Sequence, residues 1–377
     1  MLDPAKYFDY VKSLGINFFT GVPDSLLKSF CGYINDVETE NHVIASNEGS
    51  AIGIGIGYHL ATKKIPLIYM QNSGLGNAVN PLLSLCDKEI YSIPMLLMIG
   101  WRGEPGKKDE PQHIKQGRVM LSMLDAMEIE YFVITGNENA DYDLTRNAYD
   151  HALKTSCPVA LVVCKDAFAK YQYQKILKSE IKFPTKSRED ALFRILKTIP
   201  KDAPIVSTTG MISREIFEAR EAINDSHERD FLTVGGMGHA SSIAYGLSRY
   251  VKDSKMVFCI DGDGSMIMHM GALSTNGILG NKNFKHVLIN NGCHDSVGGQ
   301  ETVAFKIDFE RLSISMGYNF IKFNNELSIE ENISILIKSD GPSFIEIFVP
   351  SGSRANLGRP TSSPLENKKA MLNFLSK

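Results

Sequence analysis

The chain alternates short apolar runs rich in β-branched residues with longer stretches of helical periodicity, and does so in two successive series. This alternation constrains the fold more than any other feature. Strands joined through helices pair in parallel, and a parallel sheet must be covered on both faces. In the first series the pattern predicts strands at 16–20, 42–45, 66–71, 95–100, 131–134 and 158–163, with helices over 48–63, 79–86 and 142–155. In the second it predicts strands at 204–207, 231–233, 255–260, 286–290, 320–322 and 343–348, with helices over 190–199, 213–222, 240–250 and 268–279. Residues between the series are rich in Lys, Tyr and Gln and include Pro184. The expectation is an α/β protein of two αβα domains with mainly parallel sheets, residues 1–168 and 189–377, joined by a linker at 169–188. A length of 377 residues suits two domains.

Charge and composition exclude several classes. Lys and Arg number 40 against 43 Asp and Glu, a net charge of −3, so no basic excess is available for a nucleic-acid backbone. The chain opens without a signal-peptide pattern, and no run approaches the ~18 apolar residues of a membrane span. Six scattered cysteines, several inside apolar runs and none in a C-x-x-C pair, suit a reducing compartment. A cytoplasmic location without membrane or nucleic-acid partners is expected.

The strongest chemical signal is the run Val257 to Ser265, VFCIDGDGS, followed by Asn290 and Asn291 at the end of the next strand. Gly262 and Gly264 allow a tight turn and close approach of a ligand to the backbone. Asp263 is a hard oxygen ligand at a strand's C-terminal edge. A right-handed crossover brings the asparagines beside it. One carboxylate and one amide oxygen, completed by phosphate and water, suit Mg²⁺. A structural reading is also open, because Asp-Gly and Asn-Gly are ordinary turn signals.

Gly262-Asp263-Gly264-Ser265 with Asn290-Asn291 resembles the signature of the thiamine diphosphate-dependent 2-keto acid decarboxylases. The resemblance implies Mg²⁺ held by Asp263, Asn291 and the backbone carbonyl of Cys293, with the diphosphate lying against Gly262, Gly264 and Ser265. It implies a catalytic glutamate at Glu48, between a strand and a helix rich in small residues; the structural alternative is a helix-capping Glu. Val234 to Ser242 resembles the loop beneath the cofactor. Met237 then matches the residue that bends the cofactor, and the Gly235 carbonyl matches the acceptor for its amino group. Gly53, Gly55 and Gly57 imitate a dinucleotide fingerprint, but their spacing favours close helix packing.

Gly21-Val-Pro-Asp24 resembles the Gly-Val-Pro turn of these decarboxylases, although the pyruvate decarboxylase pattern has its acid one place later. Asp24 is accordingly a candidate proton donor, or a turn or helix-capping residue. His113, placed by the pattern in a polar loop, is a candidate proton shuttle. His294, Ser296, Arg354 and Arg359 are candidate substrate ligands, the arginines because their forks suit phosphonate or sulfonate oxygens. The middle domain of longer relatives is missing. That reduced plan resembles the phosphonopyruvate and sulfopyruvate decarboxylases, and it argues against a carboligase of the acetolactate synthase type. The resemblance implies decarboxylation of 3-phosphonopyruvate to 2-phosphonoacetaldehyde and CO₂ in phosphonate biosynthesis, and a homodimer or larger assembly with active sites at the subunit interface.

Overall fold

The computed structural model describes residues 1–38, 40–174 and 181–377, and the chain divides into two units, Met1–Ile176 and Leu177–Lys377. In the first, strands β1 (Phe19–Gly21), β2 (His42–Ile44), β3 (Leu67–Gln71), β4 (Met95–Gly100), β5 (Tyr131–Ile134) and β6 (Pro158–Val163) form one parallel sheet in the order β2-β1-β3-β4-β6-β5. Helices α1 (Pro4–Ser13), α2 (Lys28–Val37), α3 (Glu48–Thr62), α4 (Leu75–Pro81), α5 (Pro111–Ala126) and α6 (Glu138–Thr155) accompany it. Separate apolar clusters fill its two faces, one around Phe19, Tyr69 and Leu161 and the other around Ile68, Leu97 and Val162. Burial on both faces is why β3, β4 and β6 read as unbroken apolar runs.

The second unit holds β7 (Ile205–Ser207), β8 (Asp230–Leu232), β9 (Val257–Gly262), β10 (Phe284–Asn290), a two-stranded hairpin of β11 (Cys293–His294) and β12 (Gln300–Glu301), then β13 (Asn319–Ile321) and β14 (Ser343–Phe348). Its helices are α7 (Arg188–Thr198), α8 (Met211–Ala222), α9 (Ala240–Tyr250), α10 (Asp263–Met268), α11 (Ala272–Ile278), α12 (Phe309–Ser315), α13 (Ile329–Lys338) and α14 (Pro364–Ser376). The parallel sheet runs β13-β14-β10-β9-β7-β8. With the hairpin set aside and each unit's strands numbered from its own start, both sheets have the order 2-1-3-4-6-5. The halves thus share a topology that the sequence, lacking any repeat, does not announce. In each sheet the direction of winding reverses between the first and third strands, β1 and β3 or β7 and β9. Their C-terminal ends bound the crevice where open α/β sheets bind ligands.

Three local expectations are corrected. The helix over 79–86 starts earlier, at Leu75, and widens into a π-helical turn at Leu82–Cys86, because Pro81 offers no N–H to continue the ladder. The helix over 268–279 is two short helices, α10 and α11, parted at His269, whose backbone leaves the helical region. Of Gly53, Gly55 and Gly57 in α3, only Gly55 packs closely: a Cβ there would meet Ile68 Cδ1 at 2.7 Å, whereas Gly53 and Gly57 meet nothing. Part of the expected linker, residues 175–180, lies outside the described residues. Its start is docked on the first unit, where Tyr171 Oη donates to Asp36 Oδ2 at 2.8 Å. All six cysteines are free. Among the described residues, no helix is long and apolar enough to cross a membrane.

Candidate active site

At the β1/β3 crevice, Asp24 follows β1 by three residues and is fully buried. Its Oδ1 accepts from Gln71 Nε2 at 2.7 Å, and Oδ2 accepts from the N–H groups of Leu26 and Leu27 at 3.0 and 3.2 Å. The turn-capping reading is therefore satisfied, by a carboxylate that also faces side chains. Burial pushes the Asp24 carboxyl above its ordinary range, against the pull of Gln71 and Arg102. Arg102, just past β4, pairs with Asp109 (Nε to Oδ2, 2.8 Å) and donates to Ser25 Oγ at 2.6 Å.

His113 is not in a loop. It is the third residue of α5, which Pro111 opens at the first helical position. Its Nδ1 is buried without a hydrogen-bond partner. Burial, helped by the Arg102 charge, pushes the imidazole down to about 4, so it is neutral at pH 7.

Glu48 is the first residue of α3 and is buried. The capping role belongs to Asn47, whose Oδ1 accepts from Ser50 N at 2.9 Å. The Glu48 carboxylate points elsewhere: Oε2 accepts from Asn77 Nδ2 at 2.8 Å, and Oε1 lies against Gly74. Asn77 stands four residues before Pro81, so its carbonyl gets no helical N–H from there; a Cβ on Gly49 would meet that oxygen at 2.8 Å. The Pro81 irregularity therefore adjoins the residue that holds Glu48.

In the second unit a cavity of about 70 Å³ opens at the ends of β7 and β9. Met237, Gly262, Asp263, Gly264, Ser265, Asn291, Cys293, His294 and Ser296 line it, together with Thr208, Arg188 and Asp295. Asp263 opens α10 directly after β9 and is 2% exposed. Its Oδ2 accepts from Thr302 Oγ1 at 2.5 Å. Burial pushes its carboxyl up to about 6, although that hydroxyl and the N–H groups of Asp263, Asn291 and Gly264 oppose the shift. The two asparagines diverge. Asn290 donates to Glu346 Oε1 at 2.7 Å and braces the turn by accepting from Gly292 N at 3.1 Å. Asn291 faces the cavity.

Gly264 leaves room for the His294 ring, which a Cβ would approach to 2.7 Å, and burial pushes that imidazole down to about 4. Ser265 Oγ accepts from Thr208 Oγ1 at 2.7 Å and from Gly238 N at 3.0 Å, which ties the glycine-rich loop to the cavity. Gly235 belongs to that loop but does not line the cavity. Arg354 and Arg359 do not line it either. Arg354 is engaged by Glu189 at 3.0 Å and by Glu218.

The donor set fits a hard divalent cation. A buried carboxylate and an amide oxygen adjoin one cavity, and burial holds that carboxylate above its usual range. In the first unit, a buried, non-capping carboxylate lying against Gly74 fits a flat heterocycle's ring nitrogen. Sequence reasoning missed Gln71, Asn77, Arg102, Arg188 and Asp295. The one available signal was position, since Gln71 closes an apolar strand and Arg102 follows one by two residues.

Residues 6–129 match the thiamine pyrophosphate enzyme N-terminal TPP binding domain, and residues 209–347 match the C-terminal TPP binding domain. The chain is similar to a phosphonopyruvate decarboxylase of Streptomyces viridochromogenes, 30% identical over 100% of this chain and 96% of that protein. A phosphonopyruvate decarboxylase of Streptomyces hygroscopicus is 29% identical over 99% and 94%. A sulfopyruvate decarboxylase of Methanosarcina acetivorans is 28% identical over 97% and 95%.

Proposed function

Since the chain belongs to the thiamine diphosphate-dependent enzymes, as a decarboxylase with both cofactor-binding domains and no middle domain, we propose that it converts 3-phosphonopyruvate to 2-phosphonoacetaldehyde and CO₂, with Mg²⁺ anchoring the diphosphate. The observation that carries the reading is one buried carboxylate in each unit. Glu48 is freed from capping in one unit, and Asp263 stands beside Asn291 in the other. The substrate reading rests on similarity to phosphonopyruvate decarboxylases along the whole sequence.

Asp263, Asn291 and the Cys293 carbonyl would hold the metal, and Gly262, Gly264 and Ser265 the diphosphate. Gly235 and Met237 belong to the loop that would underlie the rings. The chemistry supplied by bound thiamine diphosphate is an electron sink for the pair left when CO₂ departs. Glu48 serves that chemistry by hydrogen bonding to the pyrimidine ring. Asp24 has its carboxyl raised above the ordinary range by burial, and neutral His113 presents an unpartnered ring nitrogen. These two are the proposed proton-handling groups. His294 and Ser296 line the cavity on the substrate's behalf. Arg354 reaches an anionic tail only by leaving Glu189 and Glu218. A homodimer or larger assembly belongs to the same proposal and is read by sedimentation.

The test is turnover of phosphonopyruvate, sulfopyruvate and pyruvate, each with thiamine diphosphate and Mg²⁺, followed through reduction of the aldehyde by a coupled dehydrogenase. Turnover of phosphonopyruvate alone is expected. Preference for sulfopyruvate would establish the second reading, favoured by the Methanosarcina relative, and would keep the cofactor assignments.

A further inference from the structure

Asp295 stands in the turn after β11, and its carboxylate gathers donors from four parts of the second unit. Oδ2 accepts from Asn291 Nδ2 at 2.7 Å and from Arg188 Nη1 at 2.5 Å. Oδ1 accepts from Cys293 Sγ at 3.1 Å, and both oxygens lie 3.1 Å from Gly352 N. Arg188 is itself 3% exposed, and its other edge grips Glu215 through Nε at 2.8 Å and Nη2 at 2.9 Å. A buried arginine, its fork closed on Glu215, thus holds the Asp295 carboxylate from behind through one charge-assisted bond.

The consequence falls on Asn291. An amide side chain has a donating and an accepting end of nearly the same shape, and an ionised carboxylate only accepts. Asp295 therefore binds the nitrogen end and leaves Oδ1 as the free end. That oxygen receives a single long contact, from Cys293 N at 3.3 Å. Without Asp295 the amide can turn over and present N–H to a cation, which repels it.

We infer that Asp295, clamped by Arg188, is a positioning residue that fixes the Asn291 amide with its oxygen toward the metal. The inference rests on the proposed Mg²⁺ site and deepens it. The experiment titrates Mn²⁺ into the full chain at fixed thiamine diphosphate, with binding read by free Mn²⁺ in electron paramagnetic resonance and by the fluorescence of Trp101, the single tryptophan. Asp295→Ala is expected to raise the half-saturating Mn²⁺ concentration by about 10–100-fold, the usual cost of losing a partner behind a metal ligand. Asp295→Asn, which keeps the shape and one acceptor, and Arg188→Lys, which keeps the charge, are expected to fall between. Saturating Mn²⁺ restores bound cofactor in all three, and the melting temperature without metal falls, most in Asp295→Ala, because a buried ion pair is broken. Unchanged half-saturation in Asp295→Ala overturns the inference. So does a fall in metal-free melting temperature that Mn²⁺ does not rescue in any variant, since that marks a purely structural clamp. If the parent chain shows no metal dependence of cofactor binding, or if Asp263→Asn keeps the parent's metal dependence, the proposed function fails as well.

Discussion

The Glu48 carboxylate occupies the place a side chain on Gly74 would need: a Cβ there would stand 2.0 Å from Oε1 and 2.3 Å from the carboxyl carbon. Gly74→Ala must displace Glu48, and the displaced group is the far end of a flexible side chain. A stability loss of about 1–3 kcal/mol, ordinary for overpacking, is expected from thermal melts. Turnover is expected to fall far more, close to the level of Glu48→Gln. An alanine variant with near-parental turnover would remove Glu48 from the proposed chemistry.

Gly100 stands in the same relation to Asp24, with a Cβ 2.1 Å from Oδ2. Asp24→Asn keeps the side chain's shape and removes its acidity. As a proton donor Asp24 should be worth about 10²–10⁴ in kcat, the range for general acid–base groups, with little change in KM. If Asp24 only holds its turn, kcat stays near the parent value while the melting temperature drops. Steady-state kinetics and a melt on the same sample separate the two.

The fold class was legible because period and length alone distinguish buried strands from helices: β4, β5, β6 and β14 fall where their apolar runs predict. The shared strand order was not, since nothing local encodes which strands pair at long range. That Asp263 and Asn291 come to one cavity could be read, because their spacing around one crossover brings two strand ends together. Arg188 and Asn77 could not. Arg188 sits at the edge of a polar linker, and its task exists only through contact with Asp295, 107 residues away. Asn77 gains its task from Glu48, 29 residues earlier, inside a helix that Pro81 distorts. His113 reads as a loop residue because Pro111 suits a loop as well as the first position of a helix.

His113 carries a sign that can be checked. Its imidazole is pushed down to about 4, mainly by burial, whereas the unfolded chain has an ordinary histidine near 6.5. Between those values the unfolded state binds more protons than the folded one. Stability therefore falls as pH drops through that window, and this contribution is flat above it. Urea melts from pH 7 to pH 4 are expected to show a steeper fall for the parent than for His113→Gln. An NMR titration midpoint near 6.5 for His113 would contradict the buried, neutral ring.

Removing the metal tests the second unit without reference to any substrate. A ligand bound only by the folded state stabilises it by about 2.7 kcal/mol at one hundred times its dissociation constant. For domains of this size that is a rise of roughly 5–10 °C in melting temperature. Thiamine diphosphate with Mg²⁺ is expected to produce such a rise in the parent chain, and a chelator to abolish it. Thiamine diphosphate alone is expected to produce little, because its diphosphate then meets the uncompensated Asp263 carboxylate. Asp263→Asn keeps the volume and the contact to Thr302 but lacks the charge that attracts a cation. It is expected to fold and to lose the metal-dependent rise. Glu48→Gln leaves the metal side intact and should keep most of it. Equal shifts with and without Mg²⁺ would separate the cofactor from this cavity and leave the Asp263–Asn291 pair as a structural turn.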